Sequence, residues 1–159
     1  MNLSDPFKIL SPNERWAPTQ GQMDAFQNAY EKLLPPLVYK IRIAVAKWRD
    51  EGYQGASETS KSLLNFWFNQ EHLIGQTKFS FFFSQREAIE SIIYLYEIAK
   101  ARDKYELVRF DSSQRVSTGM FEETWTRYVI KMATGAGKTK VMGLTLVWSY
   151  FHKLYEADS

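Results

Sequence analysis

The stretch Arg127 to Thr139, RYVIKMATGAGKT, constrains this chain more than any other part of its sequence. A short β-rich run leads into two closely spaced glycines, and a Lys-Thr pair then opens a long apolar-rich segment. That order describes a phosphate loop. A strand anchors the turn, glycines let backbone N–H groups face inward, and a helix N-terminus turns its partial positive charge on the anion. Lys138 is placed to reach the β- and γ-phosphates as a point charge, and the Thr139 hydroxyl to coordinate Mg²⁺. Thr134, Gly135, Ala136 and Gly137 supply the backbone of the cradle. The plainer alternative is a glycine-rich turn with a solvated Lys138, which leaves the agreement of strand, loop, Lys-Thr pair and helix unexplained.

Apolar periodicity organises the rest. Residues 1–21, broken by Pro6, Pro12, Pro18 and Gly21, read as an extended lead-in. Met23, Phe26, Tyr30 and Leu33 mark a helix over 22–34, and Pro35 and Pro36 interrupt it. A helix over 37–50 follows, with Val38, Ile41, Val45 and Trp48 on one face and Gly52 and Gly55 beyond its end. Ser57 or Thr59 caps a third helix, whose apolar face is Leu63, Leu64, Trp67 and Phe68. The aromatic run Phe79, Phe81, Phe82, Phe83 is short and apolar throughout, so periodicity does not divide strand from loop.

Ser84-Gln85-Arg86-Glu87 reads as a capping box opening a helix to residue 102, with Ile89, Ile92, Ile93, Tyr96 and Ala99 inward. Residues 103–124 are a loop with room for a hairpin, and 127–132 a strand. The last helix, 138–155, carries Val141, Leu144, Leu146, Val147 and Phe151 over more than one face, which predicts burial on two sides.

Composition excludes several chemistries. The chain has 159 residues and no cysteine, so disulfides, thiolate zinc sites and a cysteine nucleophile are ruled out. A net charge of +2 does not by itself point to nucleic acid. The N-terminus lacks a signal-peptide core, and no run reaches the ~18–20 apolar residues that span a bilayer; a cytoplasmic location is expected. His72 and His152 read as surface residues. Lys47, Arg49, Lys100, Arg102 and Lys104 read as solvated helix faces, and Asp111 as a loop residue. No acidic residue stands two places before a lysine, as a PD-(D/E)xK nuclease requires.

Gly135, Gly137, Lys138 and Thr139 match the short G-x-G-K-T pattern of superfamily 2 helicases, with Met132 where other phosphate loops place a first glycine. FFFSQREAIESIIYLYE and RYVIKMATGAGKTKVMGLTLVW resemble the start of the helicase module in type III restriction enzyme restriction subunits. The preceding LPPLVYKIRIAVAKWRDEGYQGASETSKSLLNFWF is similar to the helical region at the N-terminus of one branch of that family. The resemblance implies an α/β fold, mostly helical over this chain. Its parts are a lead-in (1–21), a helical region (22–75) and the first part of a RecA-like ATP-binding lobe (76–159).

It further implies ATP and Mg²⁺ as ligands, Gln85 as the reader of the adenine edge, and Phe79 to Phe83 as a wall for the base. Double-stranded DNA and a DNA methyltransferase subunit are the implied partners. An acidic magnesium motif, arginine fingers and the rest of the sheet are not found in the sequence, so the chain is expected to be the N-terminal portion of a longer motor. Two other readings remain. One is a complete small nucleotide-binding protein, which would need Glu156 or Asp158 as its magnesium ligand; the other is a non-enzymatic helical docking or DNA-contact module.

Overall fold

A computed structural model of the chain describes residues 5–11, 37–111, 116–120 and 128–156. The predicted helix over 22–34 and most of the lead-in lie outside them. Helix α1, Val38–Asp50, stops as the sequence indicates. Gly52 takes φ +69°, the Gly52 N–H bonds the Arg49 carbonyl and the Tyr53 N–H bonds that of Trp48. This paired closure satisfies carbonyls that a helix end otherwise leaves open. Ser57 then caps α2, Glu58–Asn69, its side chain accepting from the Ser60 N–H at 3.1 Å.

A two-residue turn at Gly75 (φ +63°) joins strands β1, His72–Ile74, and β2, Thr77–Phe79. The pairing is antiparallel, with Ile74 opposite Thr77. A glycine at the first central position suits a turn whose twist matches its flanking strands. The aromatic run is thereby divided: Phe79 ends a strand, Phe81 and Phe82 are irregular, and Phe83 opens helix α3, Phe83–Ile93.

The capping box at Ser84 is corrected. The helix begins two residues early, so the residue three after its cap is Gln85, whose Oε1 accepts from the Phe82 N–H at 3.0 Å. Glu87 is buried instead and faces Arg42 at 3.4 Å. α3 runs on into a π-helical turn, Tyr94–Ile98, and ends short of residue 102, with Lys100 at φ +48°. Within the expected loop lies α4, Lys104–Val108, capped by the Asp103 carboxylate on the Glu106 N–H at 2.9 Å. A single 3₁₀ turn, Thr118–Met120, follows. The expected strand over 127–132 is not formed at its described residues 128–132. A strand needs a hydrogen-bonding neighbour, the described residues offer none here, and Val129 is 87% exposed.

Helix α5, Lys138–Tyr155, has the predicted bounds but buries one side only. Val141, Leu144 and Trp148 face inward, while Met142, Leu146, Tyr150 and Leu154, one turn apart, are exposed. No described element covers that second side. The core joins Trp48, Tyr53, Leu64 and Trp67 to Ile89, Ile93, Leu144 and Trp148, so residues before and after position 75 share one apolar cluster. The described chain is mostly helical with one small sheet, and among its residues no helix is long and apolar enough to cross a membrane.

Polar bonds lock the same faces together. Glu90 has no exposed surface. It pairs with the Arg49 guanidinium, receives Arg86 Nε at 2.8 Å, and accepts from the Tyr53 hydroxyl at 2.6 Å. Arg49, read as solvated, is therefore a buried partner 41 residues from its carboxylate. Burial, reinforced by that carboxylate, pushes the Tyr53 hydroxyl well above its ordinary pKa. His152 is corrected likewise: its ring lies 3.1 Å from Glu97, whose other partners are Ser57 and Ser60. Glu156 closes the far end of α5, accepting from the Thr59 hydroxyl at 2.7 Å and the Thr59 N–H at 3.2 Å. Those bonds, the hydroxyl first, hold its carboxyl below the usual value.

Removing one partner of a buried charge pair leaves the other unpaired. Glu90→Ala is expected to cost about 3–5 kcal/mol in urea unfolding, against less than about 0.5 kcal/mol for Glu58→Ala on the exposed face of α2. Equal losses would mean that the network does not form in solution. A carboxyl held low in the fold stabilises above its unfolded pKa, and that contribution disappears as pH falls through the folded value. The melting-temperature gap between wild type and Glu156→Gln is therefore expected to close on acidification below about pH 4; a gap independent of pH would refute the assignment.

Candidate phosphate-binding site

The loop between Met132 and α5 is built on two left-handed glycines. Gly135 has φ +81° and Gly137 has φ +77° with ψ +43°, conformations that side chains with a Cβ rarely adopt. Between them the Ala136 N–H turns back to the Ala133 carbonyl at 3.2 Å. Among the described residues no acceptor meets the N–H groups of Gly137, Lys138 and Thr139. They are the unpaired first donors of an 18-residue helix, pointing where the helix dipole favours an anion.

Thr134, Lys138 and Thr139 are exposed around this turn. Lys138 Nζ donates to the Ala133 carbonyl at 3.3 Å, so the ammonium lies folded over the loop. The donor set, backbone N–H groups with an ammonium and a hydroxyl, fits a polyphosphate. Mg²⁺ bound with a nucleotide draws most ligands from phosphate and water, and asks the protein for one or two oxygens. The exposed Thr139 hydroxyl, on the first turn beside Lys138, is an oxygen of the kind such an ion could take.

Gln85 stands against this loop although 51 residues of sequence separate it from Ala136. Its Nε2 donates to the Ala136 carbonyl at 3.1 Å while its Oε1 accepts from the Phe82 N–H, and the residue is 5% exposed. The expected site residues are thus brought together, with both ends of the Gln85 amide engaged inside the chain. The approach is close: a Cβ at Gly137 would fall 2.2 Å from Gln85 Nε2.

Two contributors escaped the sequence reading. Lys140 places its ammonium 5.1 Å above the Phe79 ring and ties the first turn of α5 to the aromatic run. Arg86, next to Gln85, is fixed by Glu90 and lies 5.1 Å over the Phe68 ring. Only the i to i+4 spacing of Arg86 and Glu90 left a trace in the sequence.

The clash at Gly137 makes a measurable difference. Gly137→Ala must displace Gln85 and hold a Cβ in left-handed backbone, so thermal unfolding is expected to report a loss of about 1–3 kcal/mol. Gly143→Ala, in mid-helix with no heavy atom within 4 Å, is expected to gain about 0.5–1 kcal/mol. A Gly137→Ala variant as stable as wild type would show that Gln85 does not rest on the loop.

No curated protein and no solved structure matches the chain. A family model described as type III restriction enzyme, res subunit, matches residues 78–158, just over half of the sequence. The matched stretch contains Gln85, the glycine loop and all of α5. The chain belongs to the type III restriction enzyme res-subunit family, a family with a superfamily 2 helicase-like domain.

Proposed function

We propose that this chain is the ATP-binding N-terminal portion of a DNA-dependent ATPase, a helicase or translocase of a restriction-modification enzyme. The observation that carries the reading is Gln85 resting on a glycine loop whose unpaired N–H groups head a long helix, inside the stretch that matches the family. Lys138 leaves the Ala133 carbonyl to contact the β- and γ-phosphates. The backbone of Thr134, Gly135, Ala136 and Gly137 wraps the phosphate chain, and Thr139 offers its hydroxyl to the metal. Bound Mg²⁺ offsets charge on the phosphate oxygens during transfer.

Gln85 reads adenine by exchanging its present partners for the base edge, Oε1 accepting from the amino group and Nε2 donating to the ring nitrogen. Phe79 to Phe83 wall the base. Residues 128–132 become the strand of a RecA-like lobe when neighbouring strands complete the sheet. The acidic magnesium motif and arginine fingers then come from the remainder of a cytoplasmic parent enzyme. In that parent, ATP turnover drives movement on double-stranded DNA beside a DNA methyltransferase subunit.

The test is DNA-stimulated ATP turnover by the full-length parent. Lys138→Ala is expected to lower it by about 100-fold or more, the scale set by losing one preorganised charge contact. Turnover at the wild-type rate would sink the assignment of Lys138 and, with it, of the loop.

A further inference from the structure

The buried charge network around Glu90 is not neutral. Its one carboxylate stands between two guanidiniums, Arg49 and Arg86, and the Tyr53 hydroxyl stays protonated at neutral pH because burial raises its pKa. The neighbouring pair of Arg42 and Glu87 cancels itself. One positive charge is left over where hydration is reduced. Arg86 gives its Nε to Glu90 at 2.8 Å and its Nη2 to the Tyr53 hydroxyl at 2.8 Å, so Nη1 meets no acceptor among the described residues. The Arg86 side chain is only 16% exposed, and of the two guanidiniums it is the one that borders a cavity of about 220 Å³.

Four pieces of chain enclose that cavity. Trp67 comes from α2, Phe79 from β2, Phe83 from the start of α3 and Phe7 from the segment 5–11. The last is pinned in place by the Pro6 carbonyl, which accepts from the Phe83 N–H at 2.9 Å. The rings meet edge to face: Phe81 lies 4.9 Å from Phe79 at 80° and 5.5 Å from Phe68 at 78°. Exposed Gln70 and Ser80 form a polar margin, and no acidic residue is in the lining. Neither Gln85 nor any residue of the glycine loop lines it, so an occupant here is not the nucleotide.

An engineered apolar cavity of ~150 Å³ takes a benzene, and pockets for drug-sized ligands begin near ~300 Å³. A space between those sizes takes one ring and a short substituent. Aromatic walls bury the ring, and a planar guanidinium with unused N–H donors suits a carboxylate. A single surplus charge matches a monoanion better than a doubly charged phosphate. We propose that this cavity is a binding site, separate from the glycine loop, for a small aromatic carboxylate. The ring lies among Phe7, Trp67 and Phe79, and the carboxylate takes the free donors of Arg86. Because Arg86 follows Gln85 directly, an occupant also steadies the first turns of the helix that presents Gln85.

The test is an NMR titration of the nitrogen-15-labelled 159-residue chain with phenylacetate and, separately, with its neutral isostere phenylacetamide. Phenylacetate is expected to shift the Phe7 and Phe79 amides and the Trp67 indole. It is expected to bind about tenfold or more tighter than phenylacetamide, the scale of a hydrogen bond to a charged group. Arg86→Gln is expected to bring the two affinities together, and Phe7→Ala to weaken both. Arg86→Gln also disturbs Glu90, so the comparison of the two ligands on the wild-type chain decides independently of it. Equal wild-type affinities would overturn the charge anchor and with it the proposal. Shifts confined to Gly135–Thr139 would place the anion on the glycine loop and overturn the site, as would a wild-type chain that binds neither ligand.

Discussion

Glu90 is a carboxylate without access to water, and the arrangement of the other elements depends on how it is neutralised. Desolvating a carboxylate is tolerable only when cations and hydrogen bonds replace the lost water. Here one guanidinium comes from α1, another from the preceding turn of α3, and a phenol from the turn between α1 and α2. The phenol belongs to Tyr53, a non-glycine residue at φ +60°, a conformation that persists where its surroundings enforce it. The hydroxyl on Glu90 and the ring 4.9 Å from Trp48 are those surroundings. One buried charge thus sets the angle of α1, the turn after it and the roll of α3. Through the roll of α3 it sets the direction in which Gln85 points.

The other half of the frame lies at the distal end of α5. The Trp148 indole donates to the Ser60 hydroxyl at 2.8 Å, Glu97 gathers Ser57, Ser60 and His152, and Glu156 caps the same helix start through Thr59. Glu97 lies on the π-helical turn after α3. A widened turn shifts side chains round the axis relative to regular helix, and this one presents Glu97 to α2. The glycine loop heads a rod gripped at its far end by polar bonds and along one side by apolar packing. A displacement of α2 relative to α3 would therefore be carried to the loop as a tilt of α5.

Local signals in the sequence were legible where one residue controls the outcome. Gly52 stops α1, Ser57 starts α2 and the loop glycines start α5, so those bounds follow from side chains within a few positions. Misreadings came where the deciding partner is distant. Ser84 is a good cap by composition, but Pro6 already satisfies the Phe83 N–H, and the helix starts earlier. Arg49 resembles any surface arginine until Glu90 is brought to it. Tyr128 to Met132 have strand composition, yet strand is a property of a pair of segments and not of one. The glycine turn that opens α5 was visible from spacing alone, whereas the approach of Gln85 to it was suggested by family resemblance and not by any pattern in the residues.

The bare side of α5 bears on how stability varies with temperature. The heat capacity of unfolding comes from apolar surface that water newly meets when the chain opens. Met142, Leu146, Tyr150 and Leu154 already meet water in the described fold, so their contribution is largely missing from that change. The described arrangement should thus have a lower heat capacity of unfolding than a chain of this length usually does, and a flatter curve of free energy against temperature. Burying the same side chains under further elements would restore the curvature along with the added stability.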